Sequence, residues 1–110
     1  MLKGLGDLGK MGGILKQAME MKGRIEELKG KLGEYRVEAE VGGGMVAIVL
    51  NGNMEVISIK IEPELINPED PEMLESMICA AVNAGVMKVQ EMVKSKMTEL
   101  TGGVDIPGMV

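Results

Sequence analysis

The sequence predicts an α+β fold in which a long helix, three antiparallel strands and a second long helix follow one another along the chain. Apolar residues recur at heptad spacing from Met11 to Leu32, which is typical of a helix that packs along one seam. Three short apolar segments follow, separated by the turn sequences Gly-Gly-Gly and Asn-Gly-Asn. A helix start signal at Asp70 and Pro71 then opens a second long apolar stretch. The expected order is therefore α-β-β-β-α, with the strands forming a three-stranded antiparallel meander.

The first predicted helix carries a regular apolar seam with basic residues on both flanks. Its apolar positions alternate at spacings of three and four residues: Met11, Ile14, Ala18, Met21, Ile25, Leu28 and Leu32. Lys22 and Lys29 lie on one flank, and Arg24 and Lys31 lie on the other. Pairing this seam with a second copy of itself would oppose like charges, so we expect it to pack on another part of the same fold.

The first and third apolar segments each predict a strand with an inward face. In the first segment, apolar residues alternate with charged ones, at Tyr35, Val37, Ala39 and Val41. Such alternation gives a strand one buried and one solvated face. The third segment is expected to turn Ile57, Ile59 and Ile61 inward and to end at Pro63.

Two glycine-containing segments predict the turns between these strands. Gly42-Gly43-Gly44 is expected to form the first hairpin turn. The alternative, a phosphate-binding nest, lacks the lysine of a P-loop and precedes a strand rather than a helix. Asn51-Gly52-Asn53 is expected to take the positive φ angles of a second, tight hairpin.

The central strand predicts how the protein assembles. Residues 45–50 are apolar at six consecutive positions, so both faces of this strand require cover. Two helices can cover one face of a three-stranded sheet, and a second copy of the chain is expected to cover the other. We predict a homodimer formed through the sheet core, with Met45, Ala47 and Val49 at the interface. The sequence leaves open whether that set or the alternate one faces the partner.

The second predicted helix runs to about Leu100, and its first half, residues 73–87, is apolar on nearly all sides. That half is expected to be buried, with Cys79 as a small buried apolar residue rather than a nucleophile. Ser76, Asn83 and Gln90 recur at seven-residue spacing and predict a polar stripe facing solvent or another helix. Beyond Leu100, glycines and a proline predict a flexible tail over 101–110.

Composition excludes several classes of function. The 110 residues suit one domain, 1–110, with residues 1–10 as a flexible glycine-rich start. The chain has no histidine and one cysteine, which excludes a Cys/His zinc site and a disulfide within one chain. No stretch has the length and hydrophobicity of a membrane span or a signal peptide. We predict a cytoplasmic protein that is not an enzyme, with no cofactor, no metal and no small-molecule substrate.

The charge distribution is uneven although the net charge is −5. Residues 1–32 hold seven basic and four acidic side chains, a balance of +3. Residues 33–87 hold two basic and ten acidic side chains, a balance of −8. Basic residues therefore concentrate on the helices, as candidates for contact with an anionic partner: Lys22, Arg24, Lys29, Lys31, Lys94 and Lys96. The pattern alone fits either phosphate contact or an ordinary solvated helix face.

The chain as a whole resembles the YbaB/EbfC family of bacterial nucleoid-associated proteins. The matching stretches are "GGGMVAIVLNGNMEVISIKIEPEL", "DPEMLESMICAAVNAG" and "KMTELTGGVDIPGM", with "LKQAMEMKGRIEELKGKL" before them. Where the family often has Asn-Asp-Ala, this chain has Asn83-Ala84-Gly85, which removes an acid and adds a helix-weakening glycine.

The resemblance implies a homodimer with arms of paired helices that project from a sheet core. It also implies binding to duplex DNA with low sequence specificity and a role in chromosome organisation or regulation within the nucleoid. On that basis the six basic residues of the helices are predicted DNA contacts. The alternative is a protein-interaction module whose methionine-rich arms bind an amphipathic segment of another protein, because the chain holds twelve methionines.

Overall fold

The computed structural model describes the backbone of residues 2–102 and the side chains of residues 11–102. Its elements are two long helices, a three-stranded sheet and two short 3-10 turns. They are α1 (Leu2–Lys31), β1 (Arg36–Val41), β2 (Val46–Asn51), β3 (Val56–Ile61) and α2 (Pro71–Leu100). The predicted α-β-β-β-α order and the antiparallel meander, with strand order β1-β2-β3, are confirmed.

Both ends of α2 agree with the sequence prediction, whereas the start of α1 does not. The side chain of Asp70 accepts a hydrogen bond from the backbone N–H of Met73 at 3.3 Å, and Pro71 is the first residue of α2, as predicted. α2 ends at Leu100, also as predicted. α1 begins at Leu2 rather than at Met11, so the backbone of residues 2–10 is helical where a flexible start was expected. Residues 103–110 of the predicted tail lie outside the described residues.

The core lies between the sheet and α2. Val46, Ile48 and Leu50 of β2 are fully buried, and Ala81 and Val89 of α2 are buried with them. The register pairs Val37 with Leu50, Ala39 with Ile48 and Val41 with Val46. Directly paired residues share a face of an antiparallel sheet, so β1 and β2 present one continuous apolar face to α2.

A glycine brings α2 close to the sheet. Gly85 is buried, and a Cβ atom at this position would meet the Cδ1 methyl of Leu50 and lie 3.4 Å from Ile48. The glycine of Asn83-Ala84-Gly85 therefore has a structural role that its sequence context does not reveal. It lets the helix backbone approach β2 at the middle of the core.

Both hairpin turns form where glycines were predicted to turn the chain. Gly42, Gly43 and Gly44 all have positive φ, and the backbone N–H of Met45 donates to the carbonyl of Gly42 at 3.3 Å. The second turn differs from the prediction, because the positive φ of this loop falls on Met54, at 61°. The loop is longer than a two-residue hairpin, since β2 ends at Asn51 and β3 begins at Val56.

Two expectations about burial in α2 and β3 are wrong. The first half of α2 is not buried on all sides, and Cys79 is exposed rather than buried, whereas the solvent exposure of Ser76, Asn83 and Gln90 is one of the two outcomes predicted for that stripe. In β3, Ile57 and Ile59 are 47% and 42% exposed rather than inward and covered. The reason in both cases is that a single helix, α2, covers β1 and β2 but not β3, and nothing in the described chain covers the outer side of that helix.

α1 does not cover the sheet as expected. Its seam is buried only near the end, with Leu28 buried and Met21 and Ile25 half-buried. Earlier in the helix the seam is exposed, by 63% at Met11 and 66% at Ile14. α1 instead contacts the end of α2 and projects from the sheet, giving a molecule 82 Å long and 20 Å by 16 Å across.

Candidate functional site

A groove between the last turns of α1 and α2 collects charged side chains. Its cavity volume is about 310 Å³. It is lined by residues of both helices and of the segment before β1: Arg24, Glu27, Leu28, Lys31, Tyr35, Lys96, Glu99 and Leu100. We call this site the interhelical groove.

Apolar packing places the two helix ends side by side. Leu28 of α1 and Met97 of α2 are each only 8% exposed, and Leu100 is half-buried. Helical residues three or four apart share a face, so the charged residues that flank Leu28 at this spacing line the groove. The heptad seam thus positions Arg24 and Lys31 beside α2.

The hairpin between β2 and β3 fixes the end of α1 relative to the sheet. The backbone N–H of Gly52 donates to the carbonyl of Leu32 at 2.8 Å. A Cβ atom at Gly52 would lie 2.5 Å from that carbonyl oxygen, so the approach requires glycine. The turn that carries Gly52 therefore sets the direction in which α1 leaves the sheet.

Asn51 makes this turn rigid. It is a buried polar residue whose Oδ1 accepts from the backbone N–H groups of Asn53 and Glu55, at 2.9 and 3.0 Å. Its Nδ2 donates to the carboxylate of Glu55 at 2.8 Å. Because the amide's acceptor and a donor are both engaged within the turn, Asn51 stabilises one turn conformation.

Two contacts orient the lysines of the groove. The Nζ atom of Lys31 lies 3.1 Å from Oε1 of Glu27, one helical turn away. The hydrogen bond and then the charge of Glu27 raise the pKa of Lys31 above its ordinary value. Nζ of Lys96 stands 4.2 Å from the centroid of the Tyr35 ring, which holds the ammonium group by a cation–π contact.

The groove has an excess of positive charge in an otherwise acidic protein. Arg24, Lys31 and Lys96 contribute three cations against the two carboxylates of Glu27 and Glu99. An anionic ligand is therefore attracted to the interhelical groove.

The structure brings together three of the six predicted contact residues. Arg24, Lys31 and Lys96 line the groove, whereas Lys22, Lys29 and Lys94 do not line it. Sequence reasoning did not assign Glu27, Tyr35 or Glu99 to this site. The spacing of Glu27 and Lys31 was a usable signal for their ion pair, but no pattern in the sequence places Tyr35 beside α2.

The predicted interface residues do not share one environment. Ala47 and Val49 are half-buried on the face of β2 opposite its fully buried residues, whereas Met45 precedes β2 and packs against the core. The structure thus assigns Val46, Ile48 and Leu50 to the core and leaves Ala47 and Val49 available to a partner. Whether a partner covers them stays a prediction.

Neither a metal cluster nor a membrane-spanning helix is present in the described residues. In residues 11–102 no group of three or more histidine, cysteine or acidic side chains is arranged to hold a metal ion. Across the same described part of the chain, neither helix is long and apolar enough to cross a membrane.

The chain is similar to bacterial proteins along nearly its whole length. The YbaB/EbfC DNA-binding family matches residues 8–104. A nucleoid-associated protein of Alkaliphilus metalliredigens is 42% identical over 106 residues, which cover 96% of this chain and 93% of that protein. A nucleoid-associated protein of Pelotomaculum thermopropionicum is 45% identical over 101 residues, covering 92% and 96%.

The fold also has a counterpart among solved structures. The crystal structure of an uncharacterized protein from Helicobacter pylori superimposes with a TM-score of 0.66 at 29% sequence identity. The match covers 84% of this chain and 94% of that one. The arrangement of two long helices and a three-stranded meander is thus common to both proteins.

Proposed function

Because the chain belongs to the YbaB/EbfC DNA-binding family, we propose that it is a nucleoid-associated protein that binds duplex DNA with low sequence specificity. It acts as a homodimer and contacts DNA phosphates through its basic helical arms. The observation that carries this proposal is the convergence of Arg24, Lys31 and Lys96 in the interhelical groove. The relatives named nucleoid-associated proteins support a place in the nucleoid of the bacterial cytoplasm and a role in chromosome organisation or regulation.

The chemistry of the groove favours phosphate over bases. Arginine and lysine donate to phosphate oxygens without reading sequence, and such contacts supply most of the affinity of non-specific binding. The chain has a single aromatic residue, Tyr35, whose ring is already in contact with Lys96. Stacking on the bases of single strands is therefore poorly supported, and duplex DNA is the expected ligand.

The three remaining predicted contacts lie on the same two helices, outside the groove. Lys22 and Lys29 lie on α1 outside the groove, and Lys94 lies on α2 two residues before Lys96. Lys22 and Lys29 are exposed, as is Lys94, so their ammonium groups can reach phosphates that flank those held in the groove. Their contribution to DNA affinity stays a prediction. Substituting them separately from the groove residues distinguishes the two contributions.

A second function is favoured by a different observation. The projecting part of α1 exposes Met11, Ile14, Leu15 and Met19, each by more than 60%. Flexible methionines and large aliphatic residues on one helix are typical of surfaces that bind amphipathic segments of other proteins. In this alternative the arms bind a protein rather than DNA.

Titration of labelled duplexes with the intact protein separates the two functions. We expect several duplexes of unrelated sequence to bind with similar affinity, and the logarithm of the association constant to fall linearly with the logarithm of salt concentration. A protein-interaction module would show no duplex binding at low salt. Binding that discriminates strongly among the duplexes would contradict the proposed low specificity.

A further inference from the structure

α1 is held to the rest of the described chain mainly at its C-terminal end. Leu28 is buried where this helix meets the end of α2, and four residues later Leu32 begins the 3-10 turn that leads towards β1. Near the other end of the helix, Met11 and Ile14 are 63% and 66% exposed. The direction of α1 therefore depends on how residues 28–32 are fixed.

The carbonyl group of Leu32 joins that segment to the hairpin between β2 and β3. It accepts the backbone N–H of Gly52 at 2.8 Å and that of Tyr35 at 3.2 Å. One residue further on, the carbonyl of Gly33 accepts a hydrogen bond from Nη1 of Arg36 at 2.8 Å. The end of α1 is thus hydrogen-bonded both to the hairpin turn and to the segment that enters β1.

The contact between Gly52 and Leu32 leaves no room for a side chain. Gly52 is buried, and its φ is not positive, so its backbone conformation alone does not require glycine. A Cβ atom at this position would lie 2.5 Å from the carbonyl oxygen of Leu32 and 3.0 Å from its Cβ atom. These atoms cannot turn aside as the end of a side chain can. A methyl group at residue 52 would therefore push the end of α1 away from the hairpin.

A small displacement of Leu32 alters the direction of the whole helix. A contact of 2.5 Å has to open to at least 3.0 Å, which is a movement of 0.5 Å or more. With Leu28 as the pivot, about 6 Å away along the helix, this movement tilts α1 by about 5°. Arg24 lies as far on the other side of the pivot and shifts by a similar amount, whereas Met11 shifts by about 2 Å. Because Arg24 and Lys96 lie on different helices, the tilt changes the spacing of the cations across the interhelical groove.

We propose that Asn51 and Gly52 are positioning residues for DNA binding, which set the spacing of the groove cations without contacting DNA. The inference rests on the proposed function and deepens it. Asn51 is 5% exposed and Gly52 is buried, so neither residue can reach a phosphate. Gly52 acts by admitting the carbonyl of Leu32. Asn51 acts by fixing the turn, because its Oδ1 accepts from the backbone N–H groups of Asn53 and Glu55 at 2.9 and 3.0 Å.

The duplex affinity and thermal stability of three proteins test this inference: the wild type, Gly52→Ala and Gly85→Ala. Both substitutions add one methyl group at a buried glycine without changing the charge, and both are expected to lower the thermal stability. At residue 85 the methyl group meets the end of the Leu50 side chain and not the end of α1. Binding is measured well below the unfolding temperature of each variant, so that stability alone does not alter affinity.

We expect Gly52→Ala to bind duplex DNA about fivefold more weakly than the wild type at low salt, and Gly85→Ala to bind as the wild type does. A fivefold loss is the effect of one unit charge removed from about 4 Å in water. In a double-mutant cycle, Arg24→Gln should cost less affinity in Gly52→Ala than in the wild type, because the tilt has already weakened that contact.

Asn51→Ala gives an independent measurement, because it loosens the turn and leaves space for the carbonyl of Leu32. It should also weaken duplex binding, and it replaces Gly52→Ala in both measurements if circular dichroism shows that Gly52→Ala has lost its helical content. Asn51→Ala with the affinity of the wild type would exclude a positioning role for the turn.

The remaining outcomes separate this inference from the proposed function. Equal affinity of Gly52→Ala and the wild type, or equal losses in Gly52→Ala and Gly85→Ala, would overturn the inference and leave DNA binding intact. Additive effects of Gly52→Ala and Arg24→Gln would also overturn it, because the hairpin would then not act through the groove. A wild type that binds no duplex at low salt would remove the proposed function, and the inference with it.

Discussion

Lys96 lies over the ring of Tyr35, with its Nζ atom 4.2 Å from the ring centroid. This contact joins the end of α2 to the segment that enters β1, and it holds one of the three cations of the interhelical groove in place. The single aromatic residue of the protein is thus positioned at the site that we propose for DNA.

We predict that Tyr35→Leu lowers both stability and DNA affinity, whereas Tyr35→Phe preserves both. Leucine removes the ring face that attracts Lys96, and phenylalanine retains it. Cation–π contacts at exposed sites contribute about 0.5–1 kcal/mol, so the free energy of unfolding should fall by that amount at fixed protein concentration. Urea unfolding and duplex titration measure the two effects. Equal losses in Tyr35→Phe would assign the role to the hydroxyl group instead.

Glu27→Gln is expected to strengthen DNA binding. Its carboxylate pairs with Lys31 at 3.1 Å and lies in the groove, where it repels phosphate. Both partners are more than half exposed, so loss of the pair should change stability by less than about 1 kcal/mol. Removing one nearby negative charge is worth about 1 kcal/mol in water, or about fivefold in affinity at low salt. Duplex titration at low salt measures this gain.

Glu26→Gln is the matched control for that charge change. Glu26 is exposed on the same helix and does not line the groove, so its replacement should raise affinity less than Glu27→Gln does. Equal gains from the two variants would show that net charge, and not the groove, governs the attraction.

Gly85→Ala should destabilise the protein, while Gly23→Ala should stabilise it. The new methyl group at residue 85 would collide with Leu50, and overpacking of this kind costs about 1–3 kcal/mol. At residue 23 the new methyl group would meet no neighbouring atom within 4 Å, and alanine in an exposed helix gains up to about 1 kcal/mol. Thermal unfolding of both variants measures the difference. Stabilisation by Gly85→Ala would contradict the close packing of α2 on β2.

The sequence predicted the elements well because their signals are local. The alternation of residues 35–41 and the Asp70 cap each depend on neighbours in the chain, and both are confirmed. The buried and half-buried positions of Val86, Val89, Val93 and Met97 likewise follow from helical periodicity.

What the sequence could not predict is which surfaces meet. Apolar periodicity in α1 indicates a seam but not the length over which it is covered, so Met11 and Leu28 look equivalent although one is exposed and the other buried. An apolar run around a helix indicates burial somewhere in the assembly, and Cys79 is exposed in the single chain. The groove itself depends on a contact between residues 35 and 96, which no local pattern encodes.

The most direct test of the central claim compares two double variants that reverse the same number of charges on α1. Arg24→Glu with Lys31→Glu alters the groove, and Lys22→Glu with Lys29→Glu alters the other flank of the seam. Duplex affinity is measured as a function of salt, with the oligomeric mass of each variant checked beforehand. We predict that the groove variant loses affinity for all sequences about equally and that its salt slope flattens by about 2 for each arm in contact, since each lost phosphate contact removes about 0.9. The other variant should lose less affinity and keep more of the slope. Unchanged affinity in the groove variant at low salt, or equal losses in both variants, would contradict the claim that the interhelical groove binds DNA.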